Sequence, residues 1–131
     1  MEDRQLERLY DYTKFHIGIY LSAAGGLAAL ISAAAEGSAK QTYFASLIGS
    51  PKALAASFGF MVAAGIAGAV VATSTIESTS YKSFLSTKHG AYGINPFSGK
   101  AWVTIEHASF WLSLLCLAIG IFSAPAVARW L

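Results

Sequence analysis

The chain has 131 residues, of which 55% are hydrophobic and 12% are charged, and its formal net charge is +2. This composition lies outside the range of soluble globular domains, and the length fits a single domain over residues 1–131. The Lys and Arg residues do not form a run, so the composition does not favour a nucleic-acid partner.

The first prediction concerns three apolar stretches, each close to or above the roughly 20 residues that a helix needs to cross a bilayer. They predict spans over residues 15–35, 53–76 and 105–127. The predicted fold class is therefore an all-α integral membrane protein with three transmembrane helices. The predicted partner of such a protein is the lipid bilayer.

The charged segment before the first span has apolar residues at helical spacing, so it predicts a helical extension over residues 2–14. After the first span, Glu36-Gly37 is a helix stop. Residues 38–50 then carry apolar side chains on one side, which predicts a short interfacial helix that is too short to span.

The second span begins at Ser50-Pro51, because Ser caps a helix and Pro suits its first turn. We expect this helix to be able to continue beyond the bilayer past Glu77. Gly90, Gly93 and Asn95-Pro96 break the chain and predict a polar link before the third span. Pro125 is expected to bend or fray the end of the third helix.

An odd number of spans places the two termini on opposite sides of the membrane. One side would carry Arg4, Arg8, Lys14, Lys82, Lys88 and Lys100, and the other Lys40, Lys52 and Arg129. The excess of basic residues on the first side predicts a cytoplasmic N-terminus, a C-terminus on the opposite side, and location in the cytoplasmic or inner membrane.

Small residues recur along all three spans at steps of three and four, a spacing that favours close helix approach. The predicted helix-packing face comprises Gly18, Ser22, Gly26, Gly59, Ala63, Ala67, Gly68, Ser113, Cys116 and Gly120. These residues can pack the helices of one protomer or join separate chains, and hydroxyl-rich seams can also face a wet lumen. We expect a leucine at Gly68 to shift the association state and leave membrane insertion intact.

Ionisable residues predict a polar gating layer at one membrane boundary, formed by His16, Glu77, Glu106 and His107. Charges at this depth need a partner or water, so we expect a contact of His16 with Glu77 or Glu106. The alternative is that these interfacial residues only satisfy one another or water. A metal site from His89, Glu106 and His107 lacks a fixed ligand spacing, and we predict no metal, no cofactor and no catalytic residue.

Aromatic residues Tyr10, Tyr12, Phe15 and Tyr20 cluster where the first helix enters the bilayer, and they are expected to act as interface anchors. The small-residue faces and the ionisable layer together predict a homo-oligomer that is not an enzyme. It would form or gate a conduction path or perturb the membrane. The alternative is a non-catalytic accessory or assembly subunit that docks on other membrane subunits.

Overall fold

The structure, a computed structural model, describes residues 3–35, 43 and 45–129. In chain order its elements are α1 (Arg4–Ala35), α2 (Pro51–Glu77), α3 (Tyr81–Ser86), β1 (Lys88–Ala91), β2 (Ile94–Ser98), α4 (Gly99–Phe122) and α5 (Pro125–Ala128). Helices α1, α2 and α4 are long and apolar enough to cross a membrane. The prediction of a mainly helical membrane protein with three candidate spans is confirmed.

Helix α2 lies between the other two long helices and packs against both. Half of its most apolar window is buried, compared with 17% for α1 and 22% for α4. The core between α1 and α2 contains Tyr20, Ala24, Met61 and Ala64. Because α1 and α4 each pack mainly on α2, both keep a wide outer face that a bilayer can cover.

Helix α1 packs through one seam and leaves its glycine face uncovered. Its buried residues are Thr13, Tyr20, Ala24 and Leu27. Gly18, Ser22 and Gly26 lie on the opposite side and are exposed. A Cβ atom added at Gly18 or Gly26 would meet nothing within 4 Å. In the protomer these three residues are not a packing face, and their contact with a second chain stays a prediction.

The predicted faces of α2 and α4 are divided in the same way. In α2, Ala67 and Gly68 are buried and Ala63 is half-buried, whereas Gly59 is exposed with open space around it. In α4, Ser113 and Gly120 are buried and Cys116 is half-buried. The same four-residue step thus occurs on a face that packs and on a face that does not.

Two close approaches hold α2 against α4. The hydroxyl of Ser57 donates to the carbonyl of Ser113 at 2.9 Å, and the hydroxyl of Ser113 donates to the carbonyl of Ser57 at 2.7 Å. Further along, a Cβ atom at Gly120 would lie 2.6 Å from Cδ2 of Leu54. The serine and glycine positions therefore let the two backbones approach more closely than larger residues would.

Helix α2 ends at Glu77, so the expected continuation beyond the bilayer is wrong. The amide of Ser78 donates to the carbonyl of Thr75, and Ser78 itself has extended backbone angles. A separate helix, α3, then starts at Tyr81, because the side chain of Ser80 accepts a hydrogen bond from the amide of Ser83. The serine-rich segment acts as a stop followed by a new cap.

The link before α4 forms an antiparallel hairpin of β1 and β2 where a polar, broken segment was expected. Its two-residue turn has positive φ at Tyr92 (56°) and Gly93 (79°), which is the type I′ pattern of tight hairpins. The register shifts at Gly90, where a Cβ atom would lie 1.7 Å from the carbonyl oxygen of Ile94. Gly93 therefore forms part of the turn, and Gly90 leaves room for the bulge of Asn95 and Pro96 opposite it in β2.

Helix α4 begins at Gly99, earlier than the predicted residue 105, because Ser98 caps it by accepting a hydrogen bond from the amide of Ala101. It ends at Phe122, and Pro125 starts the short helix α5. Residues 38–42 and 44 of the predicted interfacial helix over residues 38–50 lie outside the described residues. Within that segment, the amide of Gly49 donates to the carbonyl of Gly120 at 2.8 Å.

Candidate functional site

The candidate site is centred on Glu106, whose side chain is completely buried. It lies seven residues after the start of α4, about 10 Å along the helix axis. Glu106 shares a helix face with the other buried residues of this helix, which are Gly99, Ser109, Ser113 and Gly120. Helical periodicity therefore turns a carboxyl group into the bundle interior, towards α2.

All three long helices meet at this carboxyl group. The hydroxyl of Tyr20 on α1 donates to Oε1 of Glu106 at 3.0 Å, and Tyr20 is itself completely buried. Gly68 provides the space on α2, because a Cβ atom there would lie 3.5 Å from Oε1 of Glu106 and 3.1 Å from Cγ1 of Ile17. The expected partner of Glu106 was His16, and the hydrogen bond that forms is with Tyr20.

Two buried oxygen atoms of this interior make no hydrogen bond among the described residues. They are Oε2 of Glu106 and Oγ1 of Thr13. A buried polar atom without a partner costs free energy, more so for a charged group. Oε2 of Glu106 is therefore a buried acceptor that no described group satisfies. Binding of a proton to this oxygen would change how the three helices pack around it.

Both predicted histidines lie at the edge of this interior, around the ring of Tyr12. The ring of Tyr12 stacks on His16 with centroids 3.8 Å apart and on His107 with centroids 5.6 Å apart. His16 and His107 are half-buried. The ring of His16 lies 6.0 Å from that of Tyr20, and His107 directly follows Glu106 in α4. The structure thus brings together three of the four residues of the predicted gating layer.

The hydrogen bonds of these histidines fix which ring nitrogen is available. Nδ1 of His16 lies 2.7 Å from the carbonyl oxygen of Tyr12, and Nδ1 of His107 lies 2.7 Å from that of Val103. Because a carbonyl oxygen can only accept, Nδ1 carries the hydrogen in both rings. Nε2 is then the nitrogen that can take up or release a proton.

Glu77, the fourth residue of the predicted layer, lies elsewhere. It is exposed at the end of α2 and lines a cavity of about 270 Å³ together with Lys88, His89 and Asn95. His89 is turned away from Glu106, because its Nε2 donates to the carbonyl of Phe84 at 2.9 Å. In the part of the chain that the structure describes, no three His, Cys, Asp or Glu residues are grouped as metal ligands.

A hydrogen bond between Asp3 and Tyr81 connects the start of α1 to the segment after α2. The Asp3 carboxylate accepts hydrogen bonds from the amides of Gln5 and Tyr81. The amide of Tyr81 is the main reason that the pKa of Asp3 lies below its ordinary value. Beside Asp3, the first turns of α1 and the end of α2 border a cavity of about 550 Å³.

The role of Tyr20 was not predicted from the sequence. Tyr20 was expected to be an interfacial anchor, which is wrong because its side chain is fully buried. The available signal was spacing, since Thr13, Tyr20, Ala24 and Leu27 follow the steps of seven, four and three that mark a packed helix seam. A tyrosine on such a seam needs a buried partner for its hydroxyl.

Comparisons of the chain with protein-family models, with curated proteins and with solved structures found no match. Function is therefore inferred from the chemistry of the site. That chemistry consists of a buried carboxyl group with a tyrosine donor and two imidazoles at its edge.

Proposed function

We propose that the protein is a self-associating, non-enzymatic membrane protein that forms or gates a conduction path, and that the path carries protons through the bundle at Glu106. The observation that carries this proposal is the burial of the Glu106 carboxyl group between three candidate membrane spans. Ionisable groups within membrane spans are costly, and they commonly mark proton or ion pathways.

The cytoplasmic part of the proposed route runs from the imidazoles to the carboxyl group. A proton reaches Nε2 of His16 or His107 from the half-buried edge and passes inward to Glu106. Tyr20 holds Oε1, which leaves Oε2 as the oxygen that receives the proton.

The positions of the serine hydroxyls favour a conduction path inside one protomer. They argue against a lumen between protomers. Ser57 and Ser113 are completely buried and donate to each other's carbonyl groups, and Ser109 is 8% exposed. Hydroxyl groups that are engaged between α2 and α4 are not available to line a wet channel. The polar interior around Glu106 therefore suits conduction better than the predicted hydroxyl seam does.

Self-association is assigned to the exposed face of α1 formed by Gly18, Ser22 and Gly26, because close helix packing needs small residues. The orientation in this proposal is a cytoplasmic N-terminus in the cytoplasmic or inner membrane. Since α1 begins at the membrane side where α2 ends and α4 begins, the histidines exchange protons with the cytoplasm.

Proton flux into sealed vesicles tests the proposal. The purified chain is reconstituted in liposomes that contain a pH-sensitive dye and a potassium gradient, and valinomycin starts the measurement. Wild-type protein is expected to acidify the lumen, whereas Glu106→Gln lowers the flux to that of protein-free vesicles. Glu77→Gln is the matched control, because Glu77 is exposed and distant from the site. Equal flux through both variants, or none through wild-type protein, contradicts the proposal.

The alternative function is that of an accessory subunit in a larger membrane complex. The exposed glycine face of α1 favours it as well, because a helix of another protein could pack there. Purification in mild detergent separates the two functions. Unrelated subunits in a fixed ratio would support the accessory role, and a stable homo-oligomer would support the conduction path.

A further inference from the structure

The segment from Ser78 to Ile105 is positively charged. It contains Lys82, Lys88 and Lys100 and no Asp or Glu. All three lysine side chains are exposed. The segment itself therefore carries only positive charge, and Glu77, the residue before it, lines one cavity with Lys88.

The tip of the hairpin in this segment exposes large apolar side chains. Tyr92 is fully exposed at 103%, Ile94 is 72% exposed and Phe97 is 47% exposed. Contiguous exposed apolar residues mark interaction surfaces, particularly when polar or charged residues surround them. Lys88, the first residue of β1, lies in the same hairpin.

The fold alone does not explain why a tyrosine occupies position 92. Its φ angle is 56°, a left-handed conformation in which Asn, Asp and Gly are favoured and bulky residues are uncommon. The fully exposed side chain makes no compensating burial. A bulky aromatic residue therefore occupies a position where the turn alone favours asparagine, which points to a contact outside the chain.

The hairpin lies next to the start of α4, one of the candidate membrane spans. Strand β2 runs directly into α4 at Gly99. The indole of Trp102, in the first turn of α4, donates to the carbonyl of His89 at 2.8 Å and contacts the ring of Phe97 edge-on at 5.4 Å. The hairpin base thus lies alongside the start of a candidate span. At about 3.3 Å per residue, the tip is within about 15 Å of that start.

We infer that this hairpin and the lysines before, within and after it bind the headgroup layer of the bilayer that holds α4, with Tyr92 and Ile94 inserted at the interface and Lys82, Lys88 and Lys100 bound to anionic lipid. Tyrosine is enriched at membrane interfaces. Lysines close to an anionic leaflet are attracted to it. This hairpin thus binds lipid of the membrane that the chain itself spans. Binding to a protein partner is the alternative that the experiment below distinguishes.

Immersion depth of a nitroxide tests this inference in the full chain. The label is placed on Ala91→Cys, an exposed position directly before the turn, in a Cys116→Ser background. Lipid nanodiscs contain phosphatidylcholine alone or with phosphatidylglycerol. Accessibility to oxygen and to an aqueous nickel complex is compared for the unmodified tip, Tyr92→Asn and Lys→Gln variants. Lys52→Gln is the control, since Lys52 lies at the opposite end of α2.

In anionic discs we expect the label to be shielded from nickel and accessible to oxygen. Each Lys→Gln substitution should lower the ratio of inserted to withdrawn hairpin by about fivefold, equivalent to about 1 kcal/mol per lysine near an anionic surface. Tyr92→Asn should withdraw the tip while the hairpin stays folded, because asparagine suits this turn. Circular dichroism and thermal unfolding check that folding is retained.

Two results would overturn the inference. One is a label that stays open to nickel in anionic discs, which leaves the patch to a protein partner. The other is shielding that Tyr92→Asn and the Lys→Gln variants do not change. Neither result bears on proton flux through Glu106, so the proposed function is tested separately.

Discussion

Ser57 of α2 and Ser113 of α4 each donate a hydroxyl hydrogen bond to the backbone carbonyl of the other, at 2.9 and 2.7 Å. The two hydroxyl oxygens are themselves 2.9 Å apart, and both side chains are completely buried. Lipid tails are as apolar as leucine, so water avoidance does not drive these helices together within a membrane. Close packing and hydrogen bonds between helices supply the free energy instead.

The serine pair predicts a measurable loss of stability. Ser57→Ala and Ser113→Ala should each lower the free energy of unfolding in bicelles by about 0.6 to 1.7 kcal/mol. The double variant should lose less than the sum, because the two hydroxyl groups share one contact. Ser32→Ala, at an exposed position of α1, is the control. Strictly additive losses would show that the pair does not act as a unit.

Gly68 and Gly59 provide a matched pair within α2. Gly68 is buried against Ile17 and Glu106, whereas a Cβ atom at Gly59 meets nothing within 4 Å. Gly68→Leu should therefore destabilise the protomer itself by at least about 1 to 3 kcal/mol through overpacking, and Gly59→Leu should leave it folded. Steric trapping in bicelles measures both. A folded Gly68→Leu protomer with altered association would restore the expectation drawn from the sequence.

The Gly68 case shows how far the sequence could predict the fold. Hydropathy identified three spans, because length and apolarity decide membrane insertion directly. A four-residue step of small residues could not show which face is covered, since Gly18, Gly59 and Gly68 all follow it and only Gly68 packs in the protomer. That choice depends on helix rotation, which neighbouring helices determine.

The hairpin and one residue of the candidate site, Tyr20, were not predicted, for different reasons. Tyr92-Gly93 forms the turn, and it lacks the Asn-Gly or Asp-Gly pair that signals a type I′ turn in a sequence. For the site, Glu106 and the two histidines were identified as polar groups at similar depth. Tyr20 was not, because its contact with Glu106 joins residues 86 positions apart. Only the packed bundle brings them together.

The hydroxyl of Tyr20 should stabilise the buried carboxyl group. Tyr20→Phe removes the donor to Oε1 of Glu106 and leaves that oxygen without its partner, so the free energy of unfolding should fall by about 1 to 3 kcal/mol. Tyr92→Phe removes a fully exposed hydroxyl and should have little effect. In a Glu106→Gln background the cost of Tyr20→Phe should be smaller. Identical costs in both backgrounds would argue against the bond.

Acidification should weaken the link between Asp3 and Tyr81. The amide of Tyr81 donates to the Asp3 carboxylate, which holds the pKa of Asp3 below its ordinary value of 3.8. Because the pKa is lowered in the folded state, this stabilising contribution is fully present above pH 3.8 and is lost as the pH falls through the lowered pKa. The amide chemical shift of Tyr81, followed by NMR in detergent, reports the change.

Two variants separate the Asp3 contribution from other acidic groups. Asp3→Asn should abolish the acid-dependent shift of the Tyr81 amide, since the side chain no longer titrates. Asp11→Asn should leave it unchanged, because Asp11 lies on the exposed side of α1. A titration of the Tyr81 amide that persists in Asp3→Asn would assign the effect to another group.

The exposed glycine face of α1 predicts variants that alter assembly without altering the protomer. Gly26→Leu adds a side chain where a Cβ atom meets nothing within 4 Å, and leucine favours the bilayer, so insertion and folding should be retained. If two chains meet through this face, the added bulk prevents close backbone approach and shifts the protein towards monomer. Light scattering in detergent measures the mass. Ala108→Leu, at an exposed position of α4, is the control, and equal masses for the two variants would mean that lipid covers this face of α1.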